Sequence, residues 1–275
     1  CKQTLKMDES ETAPNDDYEH PDGLDYILES VLMPSDGSKE FKFLADEYNS
    51  VLLNPCHCKG ACENSEVCAH GGQYEFTEDG SELILRNSAN PVIECNDMCK
   101  CCRNTCSNRL VYSGPRKHLE IFDSPVYGSK GLRTTAKITK GGYICEYAGE
   151  LLTVPEARSR LHDNEKLGLM NYILVLNEYT SDKKQQVTIV DPSRRGNIGR
   201  YLNHSCEPNC HIAAVRIDCP IPKIGIFAAR DIAAKEELCF HYGGEGQYKK
   251  MTGGKTCLCG ASKCTGFMPN TEIEE

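Results

Sequence analysis

Asn203-His204-Ser205-Cys206-Glu207-Pro208-Asn209 decides how the chain is read, because its cysteine answers a second group, Cys257-Leu258-Cys259 with Cys264, near the C-terminus. Zinc held by thiolates needs four tetrahedral ligands. A C-x-C-x4-C run supplies three, so a cysteine distant in sequence must close the site, and Cys206 is the candidate. Closing it would fold the tail onto the middle of the chain. The alternative for Cys206 is a buried free thiol.

An earlier block points the same way. It reads Cys56-x-Cys58-x3-Cys62-x5-Cys68, then Cys95-x3-Cys99-x-Cys101-Cys102-x3-Cys106. Cysteines this close rarely bridge one another with good disulfide geometry, whereas a small ion can collect them. Zinc is therefore favoured over disulfides, and a reducing compartment with it. Nine cysteines exceed what two separate tetrahedral sites would use. Three ions need twelve coordination places, which nine thiolates fill if three are shared and six are terminal. A closed thiolate cluster leaves no open coordination position, so the block reads as a scaffold that folds on metal. The remaining cysteines Cys145, Cys210, Cys219 and Cys239 lie in apolar or strand contexts and read as core.

The chain has 275 residues and a formal net charge of −9, and the charge is unevenly placed. Residues 1–50 hold 13 of the 40 Asp and Glu but only 4 of the 31 Lys and Arg, so the remainder balances at 27 of each. A balanced body has no basic footprint for a nucleic-acid backbone, and His-x3-His spacing is missing. Direct sequence-specific nucleic-acid binding is therefore not expected. Residues 1–50 read as an acidic, solvated lead-in, loosely ordered over 1–20. No apolar run approaches the ~20 residues of a membrane span, no secretory or transit pattern opens the chain, and it reads as soluble with no membrane partner. A chain that starts on cysteine is expected to be a piece of a longer one.

From Leu110 onward short apolar or alternating runs recur, punctuated by Gly, Pro and Asn. They are Glu120-Ile121-Phe122, Tyr143 to Tyr147, Tyr172 to Leu176, Val187 to Val190, Ala213 to Ile217 and Ile224 to Ala228. This pattern predicts a mainly β fold. Tyr26-Ile27-Leu28 and Val51-Leu52-Leu53 also read as strands, and Tyr74 to Val92 as a cysteine-free loop. One helix start is clear: Thr153 caps, Glu156 reaches back, Pro155 takes an early position, and Ala157 to Lys166 continues.

Motif order now carries a resemblance. Glu94-Cys95-Asn96-x2-Cys99-x-Cys101, ending in Cys106-Ser107-Asn108-Arg109, is followed by Gly196-Asn197-Ile198-Gly199-Arg200-Tyr201-Leu202-Asn203-His204-Ser205-Cys206. With Glu146-Tyr147-Ala148-Gly149-Glu150, the run Glu236 to Gly243 and the Cys257 to Cys264 group, this resembles the pre-SET, SET and post-SET signatures of histone lysine methyltransferases, over residues 56–266. It is most similar to the suppressor-of-variegation and SETMAR-like branch. The resemblance implies a SET fold, a β-clip of small pseudoknotted sheets, with a three-zinc pre-SET cluster and a one-zinc post-SET site. Domains then read as an acidic lead-in over 1–50, pre-SET over 51–109, SET over 110–250 and post-SET over 251–275.

The resemblance also implies roles. The pre-SET ligands are Cys56, Cys58, Cys62, Cys68, Cys95, Cys99, Cys101 and Cys106, with Cys102 the ninth by element and His70 the alternative by position. Post-SET ligands are Cys206, Cys257, Cys259 and Cys264. Tyr242 is the central catalytic residue, and Tyr147 and Phe240 wall the lysine channel. For S-adenosylmethionine, Lys130, Gly131 and Leu132 form a backbone-binding turn, and Tyr172, Arg200, Asn203, His204 and Tyr242 line the pocket. Two departures stand out: Ser129-Lys130-Gly131 replaces the family's Gly-Trp-Gly, and His241 stands between Phe240 and Tyr242 where Asp is common.

The implied activity is methyl transfer to a lysine of the histone H3 tail, bound as an extended strand, in chromatin of the nucleus. Lysine-9 is the first choice, with lysine-36 or lysine-4 as alternatives. Phe at 240 implies di- or trimethylation. The rival readings are a non-histone lysine substrate, an inactive chromatin scaffold, which Ser129, Lys130 and His241 would suit, and a nucleic-acid-binding zinc protein.

Overall fold

The computed structural model describes residues 24–51, 55–62, 68, 70–86, 92–179, 185–243, 255–269 and 273. Short strands dominate, as expected, and the described residues hold two α-helices. One four-stranded sheet runs Val92–Ile93, Cys210–Arg216, Lys223–Ala228, Tyr143–Glu146 in spatial order. A second runs Leu174–Tyr179, Gln185–Asp191, Glu150–Leu151, Val31–Leu32. Two-stranded pairs complete the fold, among them Asn203–His204 with Cys239–Phe240, parallel, and the hairpin Leu119–Ser124 with Ser129–Thr134.

Tyr143–Glu146 is buried at all four positions and Lys223–Ala228 at every position but the first, which is why both read as continuous apolar runs rather than alternating ones. Their side chains meet in a core of Leu132, Ile144, Leu202, Ile226, Leu238 and Phe240. Val92–Ile93 pairs in parallel with Val215 and Arg216, so the cysteine-rich module adds a strand to the sheet of the following domain. The Asn96 side chain reinforces the join by donating to the Ile217 carbonyl at 3.0 Å.

α2, Val154–Leu167, starts where the sequence predicts. Thr153 Oγ1 accepts from the Glu156 backbone N–H at 3.4 Å, and the helix closes on Gly168 at φ 66°. The expected reach-back of Glu156 is replaced: its carboxylate accepts from Arg160 Nε at 2.7 Å. Arg160 also donates to Glu150 Oε2 at 2.6 Å and Asp191 Oδ2 at 2.7 Å, so the Glu156 carboxylate joins an ionic cluster around Arg160 instead of the cap.

Three expectations are corrected. Residues 25–48 are not a solvated lead-in: Asp25–Tyr26 pairs with Arg195–Gly196, Val31–Leu32 joins the second sheet, and α1 spans Lys39–Tyr48. Phe41, Leu44 and Tyr48, at i, i+3, i+7, form its packed stripe, a 3.6-residue period masked by the surrounding charge. The cysteine-free loop after Tyr74 contains a hairpin, Tyr74–Phe76 with Leu83–Leu85. The Lys130-Gly131-Leu132 turn is not a turn: the chain reverses over 125–128, where Gly128 N–H closes on the Ser124 carbonyl at 2.9 Å, and 129–134 is strand. Residues 1–20, Leu52 and Leu53 lie outside the described residues.

Candidate active site and metal centres

The Gly196 to Cys206 segment organises the site. Asn197 donates through Nδ2 to the Glu146 carbonyl at 2.9 Å, and its Oδ1 accepts from Gly199 and Ala148 N–H at 3.0 and 3.3 Å. A Cβ on Gly199 would stand 2.6 Å from the Glu146 carbonyl oxygen and 3.1 Å from Tyr147 Cα, so only glycine lets this turn lie against the end of the Tyr143–Glu146 strand and the Tyr147 that follows it. Arg200 stacks over the Tyr172 ring at 4.6 Å.

Three aromatic side chains then converge. Tyr147 meets Phe240 edge to face at 5.8 Å between centroids, and Phe240 meets Tyr242 at 4.8 Å. Tyr147 donates its hydroxyl to the Tyr172 carbonyl at 2.6 Å, and Tyr242 donates to the Leu202 carbonyl at 2.8 Å. Both phenols are held above the ordinary tyrosine value, desolvation being the first cause in each, although Tyr147 is buried whereas Tyr242 keeps 37% of its surface exposed. All three line a cavity of about 610 Å³, with Leu161, Tyr172 and Met268 on its other walls. Leu161 belongs to α2 and Met268 to the cysteine-rich tail, so helix and tail both shape the opening.

A second constellation lies beside it. The Asn203 side-chain amide donates to Glu237 Oε1 at 2.9 Å and to the Lys130 carbonyl at 3.2 Å, and Ser124 donates to Glu237 Oε2 at 2.8 Å. A Cβ on Gly131 would stand 2.6 Å from Glu237 Oε1. Leu132 is fully buried and its carbonyl is taken by Leu238 N–H at 2.8 Å; Gly131 beside it is buried, Lys130 is half-buried, and only Ser129 at the strand's start is exposed. His204 bridges the two groups: its Nδ1 accepts from the Tyr242 N–H at 3.2 Å and its ring stacks edge-on to His241 at 4.9 Å.

The sulfurs gather as well. Cys206, Cys257, Cys259 and Cys264 place their Sγ atoms within 4.8 Å of one another, with Cys206 at 3.9 Å from Cys257 and 4.0 Å from Cys264. Two sulfurs on one tetrahedral zinc stand ~3.8 Å apart, so the residues fit the ion. In the first block the mutually close groups are Cys56, Cys62, Cys68 and Cys95; Cys62, Cys95, Cys101 and Cys106; and His70, Cys95 and Cys99. Cys58 interacts with Cys62 and Cys68. Cys102 belongs to none of these groups among the described residues; its sulfur faces Asn104 and Thr105.

Comparison with known proteins accounts for this layout. Residues 129–243 match the SET domain and residues 7–109 the Pre-SET motif. The probable histone-lysine N-methyltransferase set-23 of Caenorhabditis elegans is 40% identical over 231 residues, covering 81% of this chain and 90% of its own. The chain belongs to the SET-domain histone-lysine N-methyltransferase family. The methyltransferase domain of human histone-lysine N-methyltransferase SETMAR superposes with a TM-score of 0.73 at 33% identity, over 93% of this chain and 92% of that one. Arabidopsis thaliana SUVH6, solved in complex with S-adenosylmethionine, superposes at 0.69 and 27% identity, over 92% and 52%.

The fold of this SET-domain chain brings Tyr147, Tyr172, Phe240 and Tyr242, all singled out by the motifs, to one cavity. Glu237, Asn197 and Leu161 have no role implied by the motifs. Glu237 stood in a quoted motif and Asn197 in another, but the α2 wall carries no motif at all.

Proposed function

We propose that the protein transfers methyl groups from S-adenosylmethionine to a lysine of the histone H3 tail, lysine-9 first, and adds two or three. One observation carries the reading: the Tyr147, Phe240 and Tyr242 rings line a single cavity beside the Arg200 to His204 segment. When bound, S-adenosylmethionine supplies an electrophilic methyl on its sulfonium. Lys130, Gly131, Tyr172, Arg200, Asn203 and His204 would hold it. The close packing at Gly131, where any Cβ would strike Glu237, supports that reading by holding Glu237 and Asn203 against this strand.

The chain's own work is to prepare the amine. A free lysine near pKa ~10.4 is neutral in about one molecule in a thousand at neutral-to-slightly-basic pH, a handicap of ~4 kcal/mol. Tyr147 and Phe240 desolvate the ammonium, which favours the neutral form and sends its proton to water. Tyr242, whose proton is committed to Leu202, offers lone pairs to orient what enters. Leu174–Tyr179 is the outer strand of its sheet, so a peptide can pair along it and drop its lysine into the cavity. Phe240 in place of a tyrosine leaves room for added methyls.

The cysteine groups, filled with three zinc ions in residues 51–109 and one joining Cys206 to the 251–275 tail, serve as scaffold around a catalytic body over 110–250. The protein then works in nuclear chromatin. Mass spectrometry of histone H3 incubated with zinc-loaded protein and S-adenosylmethionine tests this. Two or three methyls on lysine-9 support it. Modification of lysine-36 or lysine-4 instead overturns the site, a series that stops at one methyl overturns the product state, and no gain on H3 overturns the substrate.

A further inference from the structure

The first cysteine block offers eight thiols with zinc-like spacing and one imidazole. Cys56 Sγ lies 3.7 Å from Cys62 Sγ and 3.9 Å from Cys95 Sγ. These are edges of a thiolate tetrahedron, ~3.8 Å when each sulfur stands ~2.3 Å from the ion, and far from a disulfide bond of ~2.05 Å. His70 Nδ1 lies 3.7 Å from Cys99 Sγ and 3.9 Å from Cys95 Sγ. A nitrogen at ~2.0–2.1 Å from zinc stands ~3.5 Å from each neighbouring thiolate, so an ion drawn between these atoms needs only small adjustments. A plain N–H···S bond would choose one sulfur; near-equal distances to two sulfurs are what a shared ion requires.

We infer that His70, and not Cys102, is the ninth ligand of the three-zinc cluster. The assignment rests on the zinc reading given above and completes it. Cys56, Cys95, Cys99 and His70 surround one ion, and Cys56 also sends its backbone N–H to Cys99 Sγ at 3.3 Å. Cys62, Cys95, Cys101 and Cys106 surround the second. Cys56, Cys62 and Cys68, joined by Cys58, surround the third. Cys56, Cys62 and Cys95 are then the shared thiolates, and every tetrahedron is filled without Cys102.

The chain makes this exchange possible locally. Cys68 and His70 are two residues apart, and the Gly71 N–H turns back onto the Cys68 carbonyl at 3.2 Å, so both side chains face the cluster. Cys102 follows Cys101 directly, and with Cys101 aimed inward its neighbour is aimed out. Replacing a thiolate by a neutral imidazole leaves the cluster one negative charge smaller than an all-cysteine cluster would be.

Zinc content of the purified chain, and the cadmium-113 spectrum of the cadmium-substituted chain, test the assignment. Cys102→Ser should keep every zinc, and His70→Ala should lose about one per chain. His70→Cys, which preserves folding by keeping a ligand, should hold the full count and move one cluster resonance downfield, toward all-sulfur coordination. An unmoved spectrum in His70→Cys, or loss of an ion in Cys102→Ser, overturns the role of His70 while leaving the cluster standing. A wild-type chain that binds no zinc overturns the cluster itself.

Discussion

The Tyr242 hydroxyl donates to the Leu202 carbonyl oxygen at 2.8 Å, immediately before the Asn203–His204 strand, whose His204 pairs with Phe240. That bond commits the phenolic proton, so in the cavity that Tyr242 lines its oxygen is left to accept rather than donate. Tyr242→Phe keeps the ring and removes the oxygen. Methyl transfer in single-turnover assays should fall by ~10²-fold or more, in the range of losing one oriented polar group. A decline under about threefold would remove Tyr242 from the chemistry.

The pH profile follows from the same phenols. Tyr147 and Tyr242 are both pushed above the ordinary value of 10.0, so each stays protonated at every pH below it. The rate should therefore rise with pH, about tenfold per unit while the substrate lysine is charged, with no falling limb from these phenols before pH ~10. A falling limb near pH 8 that disappears in Tyr147→Phe would contradict the raised values.

Phe240→Tyr adds one hydroxyl to the wall that faces Tyr147 at 5.8 Å between ring centroids. The added oxygen occupies space a second methyl would need. The variant should yield mainly monomethyl product, with the first transfer within about fivefold of wild type. Time-resolved mass spectrometry of the peptide reads both, and unchanged trimethylation would show that the channel is wider than proposed.

Gly131→Ala should weaken S-adenosylmethionine binding. Its Cβ would stand 2.6 Å from Glu237 Oε1 and 3.2 Å from Asn203 Nδ2, so the carboxylate must move and release Asn203. Overpacking of this kind costs ~1–3 kcal/mol, roughly a ten- to hundredfold rise in Kd by calorimetry. Binding at wild-type strength would move the cofactor away from this strand.

Arg160→Met breaks a buried charge cluster. Glu150 and Asp191 are almost fully buried and both face Arg160 Nη1, so its loss leaves two carboxylates uncompensated. Urea denaturation should report a loss of ~3–5 kcal/mol, and adding Glu150→Gln should recover part of it. No recovery would mean that Arg160 acts through packing alone.

Motif order and cysteine spacing determined the family, the mainly β fold, the aromatic trio and the two zinc-type groups. Such signals survive in one dimension because ligand spacing, helix caps and two-residue alternation are properties of neighbours along the chain. α1 was legible in principle, through Phe41, Leu44 and Tyr48, but its apolar stripe is thin and lies within an acidic stretch. Only the tertiary structure decided that residues 25–48 join the sheets, that Lys130 and Gly131 lie within a strand rather than a turn, and that Glu237 ties Asn203 to them. It also placed the His70 ring near the Cys95 and Cys99 sulfurs, since adjacent positions on a chain point in different directions and spacing alone does not say which side chain faces them.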